Sequence, residues 1–103
     1  MNYRIEITPA AVQDLEEITV YIEKALSNPT AASAFLDAVT DCYESIALMP
    51  LMYEKCRDRR LSALGYRRAV IKHYVMVYRV DDEGKRVLIL RFFYGAREYE
   101  KLI

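Results

Sequence analysis

The chain has 103 residues and a mass of 12.0 kDa, which is enough for one domain and too little for two independent cores. Hydrophobic residues make up 53% and charged residues 29%, with three glycines and three prolines, so collagen-like, low-complexity and disordered classes are excluded. No apolar run reaches the roughly 20 residues that cross a bilayer, and Met1–Thr8 has no signal-peptide core. We therefore expect a single domain over residues 1–103, located in the cytoplasm and without membrane contact.

The residue types that bind metals or form disulfides are scarce. Cys42 and Cys56 lack the spacing of zinc ligands, and His73 is the only histidine. In a chain of cytoplasmic composition, two cysteines are more often reduced than bridged. We therefore expect no metal, no cofactor and no disulfide.

Charge is balanced over the whole chain but divided along it. Residues 1–50 carry two basic residues against eight acidic ones, whereas residues 51–103 carry thirteen against seven. Between Lys55 and Arg79, eight basic residues accompany a single acid, Asp58. This stretch indicates a surface for phosphates or for an acidic protein segment; the alternative is a solvated face that pairs with the acidic helices.

Periodicity predicts a strand and two helices in the N-terminal half. Residues 3–7 alternate in polarity as a half-buried strand does. Thr8 and Pro9 fit the N-cap and first position of a helix whose apolar residues recur every three or four positions. Residues 27–29 end this helix and start a second one of the same spacing, which Pro50 ends. Two such helices form an antiparallel helical hairpin.

The C-terminal half is predicted to contain three strands. Residues 51–65 have no clear period and are predicted to be a loop. β-Branched and aromatic residues dominate 66–70, 73–80 and 86–93, and short links, among them the turn signal at 81–84, favour antiparallel pairing. The order β-αα-βββ predicts an α+β fold: an antiparallel curved β-sheet with an N-terminal strand, a helical hairpin packed on one face and three C-terminal strands.

Several strings along the whole chain resemble the RelE/ParE superfamily of bacterial type II toxin–antitoxin toxins. They are ITPAAVQDLEEI at the first helix, NPTAASAF and LMP at the two ends of the second, YxxxYRVD in a strand, and YGAREY after the last strand. The resemblance implies a RelE/ParE-like fold and a small toxin that a cognate antitoxin neutralises with a flexible C-terminal segment. It also implies that the toxin meets operator DNA only through the antitoxin complex, with no direct DNA binding of its own.

The resemblance leaves the activity open. Relatives similar to RelE are ribosome-dependent endoribonucleases that cut mRNA, whereas relatives similar to ParE inhibit DNA gyrase and cleave nothing. Our first expectation is growth arrest by ribosome-dependent mRNA cleavage. The alternatives are gyrase inhibition without catalysis, and a weakly active copy that mainly binds its antitoxin.

The nuclease pattern of the superfamily falls only in part on this chain. Its arginines fall on Arg67 and Arg97, which would clamp the scissile phosphate. Its lysine falls on Ala69, and its strand arginine falls at or near Val75. Proton transfer requires a titratable group at the reacting oxygen. The candidates for that role lie at strand ends: Lys72, His73 and Tyr94.

Further arginines are candidates for binding RNA or another target. Arg68 follows Arg67 on one strand, so their side chains point to opposite faces, and one of the two is expected to pair with an acid. The remaining candidates form either a phosphate-contacting loop or a solvated charge run: Arg57, Arg59 and Arg60.

Overall fold

The computed structural model of the chain describes residues 2–95, 97 and 99–103. Its strands are β1 (Arg4–Ile7), β2 (Tyr66–Ile71), β3 (Tyr74–Asp81) and β4 (Arg86–Tyr94), and its α-helices are α1 (Pro9–Val20), α2 (Pro29–Leu48) and α3 (Arg59–Ala63). A π-helical turn (Tyr21–Ala25) extends α1, and a 3₁₀ turn (Tyr99–Lys101) follows β4. No helix in these ranges is long and apolar enough to cross a membrane.

The four strands form one sheet in the order β1-β4-β3-β2. The β2–β3 and β3–β4 pairs are antiparallel, as their short links predict. β1 pairs parallel with β4, with Arg4 opposite Arg86 and Ile7 opposite Ile89. The predicted α+β class and element order are therefore confirmed. The sheet, predicted to be antiparallel throughout, is mixed, because the long stretch of chain between β1 and β4 allows these two strands to run parallel.

Short polar side chains begin both long helices. The Thr8 hydroxyl accepts a hydrogen bond from the Ala11 amide at 3.1 Å at the start of α1. The Asn28 side-chain oxygen accepts one from the Ala31 amide at 3.0 Å at the start of α2. Each cap satisfies an amide that has no partner within its own helix, and a proline follows each cap where its missing N–H is not needed. The predicted break between the helices is confirmed.

The two faces of the sheet carry separate apolar clusters. The helical hairpin covers one face, where Phe35 and Tyr78 are among the largest fully buried side chains. The opposite face is covered by Leu61 of α3 and by Tyr99, whose ring stacks on Phe93 with centroids 5.6 Å apart. The C-terminal segment is thereby packed against the sheet.

The segment predicted to be a loop, 51–65, contains regular structure. The Asp58 carboxylate accepts a hydrogen bond from the Leu61 amide at 3.0 Å and begins the short helix α3. Before it, the Cys56 amide donates to the Tyr66 carbonyl at 2.9 Å and extends the sheet edge beside β2. The prediction of a loop is wrong here because a helix of five residues is too short to show a period.

The two cysteines are buried and form no disulfide, and they belong to different clusters. Cys42 lies under the helical hairpin, whereas Cys56 lies on the other face of the sheet. Within the described residues, no three His, Cys, Asp or Glu side chains come together as they would around a metal ion.

Candidate functional site

A cleft of about 980 Å³ lies at the end of the sheet where β4 stops. Its walls come from α1 and the π-helical turn, the β2–β3 turn, the last residues of β4 and the C-terminal segment. The side chains there that carry a charge, a hydroxyl or an imidazole are Asp14, Glu17, Tyr21, His73, Tyr74, Arg91, Tyr94 and Arg97. The cleft thus brings together three of the predicted site residues: His73, Tyr94 and Arg97.

Backbone hydrogen bonds shape the floor of this cleft. Lys72 and His73 form the turn between β2 and β3, and Lys72 has a φ of 57°. The Gly95 amide donates to the His73 carbonyl at 2.9 Å, and a Cβ at Gly95 would lie 3.1 Å from that oxygen. Glycine therefore allows the close approach of the two segments. The Arg97 amide then donates to the Tyr94 carbonyl at 3.0 Å and turns the chain.

Tyrosines form one wall of the cleft. The Tyr74 and Tyr94 rings meet edge to face with centroids 5.8 Å apart, and Tyr74 packs on Phe35 at 5.1 Å. Burial raises the pKa of Tyr74, and the nearby Tyr21 and Tyr94 hydroxyls raise it further. Tyr21 and Tyr94 themselves are about half exposed, at 53% and 52%. The wall therefore offers aromatic surface to a ligand.

An ion pair between α1 and β4 forms the opposite wall. The Arg91 guanidinium donates from Nε and Nη2 to the two Asp14 oxygens at 2.7 and 3.0 Å, which raises its own pKa. Asp14 also accepts from the Phe92 amide at 3.0 Å. The Thr8 hydroxyl donates to the Leu90 carbonyl at 2.8 Å. Polar side chains at the start of α1 thus satisfy the edge of β4 beyond the end of β1.

The sequence carries no clear signal for Arg91, Asp14 and Tyr21 as cleft residues. Arg91 and Asp14 lie 77 positions apart, so no local spacing links them. A register shift between Val77 and Tyr78 also leaves an extra residue in β4, so simple alternation along this strand misassigns its faces. Tyr21 belongs to the π-helical turn, which departs from the helical period.

Arg67 lies away from the cleft. Across β3 it stands in register with Ile89. Tyr94, at the cleft, lies five positions beyond Ile89 along β4, which is about 16 Å of strand. The Arg67 guanidinium donates to the Tyr53 carbonyl at 2.8 Å. The structure therefore does not bring Arg67 together with Arg97.

The neighbouring arginine, Arg68, pairs with an acid on the opposite face of β2. Its Nη1 donates to a Glu54 oxygen at 3.0 Å, while Arg57 approaches the same oxygen at 3.9 Å. Both cations share one carboxylate outside the cleft.

The remaining predicted cations lie on the surface. Arg59 and Arg60 begin α3 with exposed side chains, and Arg60 donates to the Ile103 carbonyl at 3.2 Å. Lys72 is exposed in the turn that also holds His73. Of this group, only Lys72 lies next to a cleft residue in the chain.

Comparisons with known proteins fit this architecture. A family model described as the ParE toxin of the type II toxin–antitoxin system, parDE, matches residues 5–99. A comparison with curated proteins finds no match.

Three solved structures are similar to the chain in fold. The RelBE2 toxin–antitoxin complex from Mycobacterium tuberculosis gives a TM-score of 0.60 at 23% identity, covering 91% of this chain and 99% of that chain. The chromosomal ParDE system from P. aeruginosa gives 0.70 at 18% identity, covering 89% and 95%. The archaeal RelE–RelB complex from Pyrococcus horikoshii OT3 gives 0.57 at 22% identity, covering 94% and 99%. With the family match over nearly its whole length, the chain belongs to the ParE toxins of type II toxin–antitoxin systems, within the RelE/ParE superfamily.

Proposed function

We propose that this toxin arrests growth by binding a protein target, DNA gyrase, as ParE-like toxins do, and that it does not cut RNA. The main support is that the positions of the nuclease pattern are either buried apolar residues or an arginine far from Arg97. The pattern's lysine falls on Ala69 and its strand arginine at or near Val75; these two residues are 0% and 2% exposed and cannot present a side chain to a substrate. Arg67 is engaged with the Tyr53 carbonyl, far from Arg97.

The surface of the cleft suits a protein ligand. Four large apolar side chains around it are about half exposed: Tyr21, Leu26, Tyr94 and Leu102. A concave apolar surface with a polar rim is typical of a protein-binding site. Arg97 supplies an exposed cation at that rim.

The family role also supplies a cognate antitoxin as a partner. We propose that the antitoxin segment that neutralises this toxin is acidic and amphipathic and folds on the toxin surface. If it covers the cleft, it competes with the target for Arg97 and the tyrosine wall.

Ribosome-dependent mRNA cleavage is the second candidate, because one observation favours it. His73, Tyr94 and Arg97 line a single cleft, so a phosphate-binding arginine has two groups nearby that can carry a proton. Arg91 is a poor second phosphate ligand since Asp14 holds it with two hydrogen bonds.

Primer extension on mRNA from a purified translation reaction separates the two candidates. We expect intact mRNA at toxin concentrations that saturate the target. Ribosome-dependent cuts that vanish with Arg97→Ala and persist with Arg59→Ala, an exposed arginine outside the cleft, would instead establish cleavage and contradict the proposal.

A further inference from the structure

The loop at the end of α2 exposes an unusual run of apolar side chains. Leu48, Met49, Leu51 and Met52 are 64%, 62%, 63% and 45% exposed, although they lie within five consecutive residues. With Tyr3, the loop lines a shallow depression of about 390 Å³. We call residues 48–52 the apolar loop. Contiguous exposed apolar surface of this kind marks interaction sites.

Buried side chains hold the backbone of the apolar loop in place. The Tyr78 hydroxyl, fully buried, donates to the Pro50 carbonyl at 3.0 Å. Arg67 donates to the Tyr53 carbonyl just beyond the loop. The Met49 amide donates back to α2 at the Ser45 carbonyl at 2.9 Å. The backbone of the loop is therefore fixed while its apolar side chains are exposed. Binding a partner there costs little conformational entropy of the loop.

An acidic stripe leads along α2 to the apolar loop. Its three acids are exposed and lie on one helix face, at spacings of four and three residues: Asp37, Asp41 and Glu44. Leu48, the first residue of the apolar loop, follows four residues later on the same face. Across the ranges the structure describes, none of these acids forms an ion pair. Near the loop, Arg4 and Lys85 already pair with Glu6 and Asp82. The stripe thus presents uncompensated negative charge beside exposed apolar surface.

We propose that the apolar loop and the acidic stripe together form a docking surface for a basic amphipathic helix of a partner protein. The apolar face of that helix would cover the loop, and its lysines or arginines would lie along the stripe. Two methionines suit such a contact because their side chains adapt to the partner's shape. This surface is separate from the cleft and does not depend on the proposed target.

The negative charge of the acidic stripe disfavours two other possible occupants, a second copy of the chain and a membrane. A second copy bound about a twofold axis would place two acidic stripes close together. An anionic membrane surface would be repelled by the same acids. A basic helix alone satisfies both halves of the surface.

Fluorescence anisotropy with a labelled leucine–lysine amphipathic helix of ~18 residues, about five turns, tests the proposal. We expect saturable binding to the toxin, weakened about tenfold or more by Leu51→Ser and by Asp41→Lys combined with Glu44→Lys. Matched controls are Val70→Ser, an exposed apolar residue on the sheet, and Glu16→Lys, an exposed acid on α1; both should bind as the wild type does. Thermal melting of each variant establishes that it is folded.

Other results would rule out a basic helix as the occupant of this surface. Equal affinity across all variants, or equal affinity for a helix with glutamates in place of lysines, would overturn the proposal. If light scattering shows a dimer for the wild type and a monomer for Leu51→Ser, the surface would be assigned to a second copy instead. Sedimentation with anionic vesicles that the same substitution abolishes would assign it to lipid.

Discussion

Arg67 and Arg97 differ in burial and in the contacts of their side chains. Arg67 is partly buried and donates to the Tyr53 carbonyl, whereas Arg97 is exposed at the rim of the cleft. We expect Arg67→Ala to lower the free energy of unfolding by about 1.5–3 kcal/mol, since it removes a charged hydrogen bond. We expect Arg97→Ala to leave that free energy unchanged and to reduce growth arrest. Urea denaturation and growth after induction measure the two effects, and the reverse pattern would contradict these assignments.

The buried Tyr78 hydroxyl should make the stability of the protein fall at alkaline pH. Burial raises its pKa from the ordinary 10.0 to about 12. Because the unfolded chain ionises this hydroxyl first, the stabilisation is complete below pH 10 and is lost as the pH rises from 10 to about 12. Urea denaturation from neutral to alkaline pH should show that loss.

The control for this pH dependence is Tyr78→Phe. It should reduce the alkaline loss without removing it, because burial also raises the pKa of Tyr43 to about 12. It should also lower the free energy of unfolding by about 1 kcal/mol at neutral pH, since the Pro50 carbonyl loses its donor. An alkaline slope as steep as that of the wild type would show that Tyr78 is not its source.

At the scale of elements, one carboxylate joins α1 to β4. Asp14→Ala would leave Arg91 without its ion pair and the Phe92 amide without an acceptor. We expect a loss of about 2–3 kcal/mol in the free energy of unfolding by urea denaturation. Glu16→Ala, at an exposed position of the same helix, is the control and should change little. Equal stability of both variants would show that this contact does not hold the two elements together.

The elements that the sequence predicts are those with local signals. Thr8, Asn28 and the prolines after them define the starts of both long helices, and runs of β-branched and aromatic residues locate β2, β3 and β4. The parallel pairing of β1 depends on β4, some 80 residues away, and no local pattern records it. α3 depends on burying Leu61 against the second face of the sheet, which only the folded chain provides.

The residues of the candidate site are likewise of two kinds, those that could be predicted from the sequence and those that could not. His73 and Tyr94 are predicted from their positions at strand ends and Arg97 from the resemblance to the superfamily, and the structure places all three in one cleft. Arg91 and Asp14 could not be found because their contact joins distant parts of the chain. The separation of Arg67 from Arg97 follows from the register of three strands, which a single sequence does not specify.

At the scale of the whole molecule, the division of charge along the chain becomes a division in space. The acidic N-terminal half forms the helical layer, and the basic C-terminal half forms most of the sheet and the segment before it. An acidic antitoxin segment should therefore favour the sheet side of the molecule over the helices.

Charge reversal in the cleft tests that placement of the antitoxin. We expect Arg97→Glu to weaken antitoxin binding about tenfold, with a larger effect at low salt, because the substitution puts a like charge against an acidic segment. Isothermal titration calorimetry with the purified antitoxin measures the change, and Arg4→Glu, at an exposed position of β1 outside the cleft, is the control. Unchanged affinity for Arg97→Glu would place the antitoxin away from the cleft.

A supercoiling assay with purified DNA gyrase shows whether the cleft acts on this protein target without catalysis. Increasing toxin should inhibit supercoiling of relaxed plasmid in proportion to its occupancy of gyrase. Arg97→Ala should weaken the inhibition, and Arg59→Ala should leave it intact. Full supercoiling at toxin concentrations well above that of gyrase would contradict gyrase inhibition by this toxin.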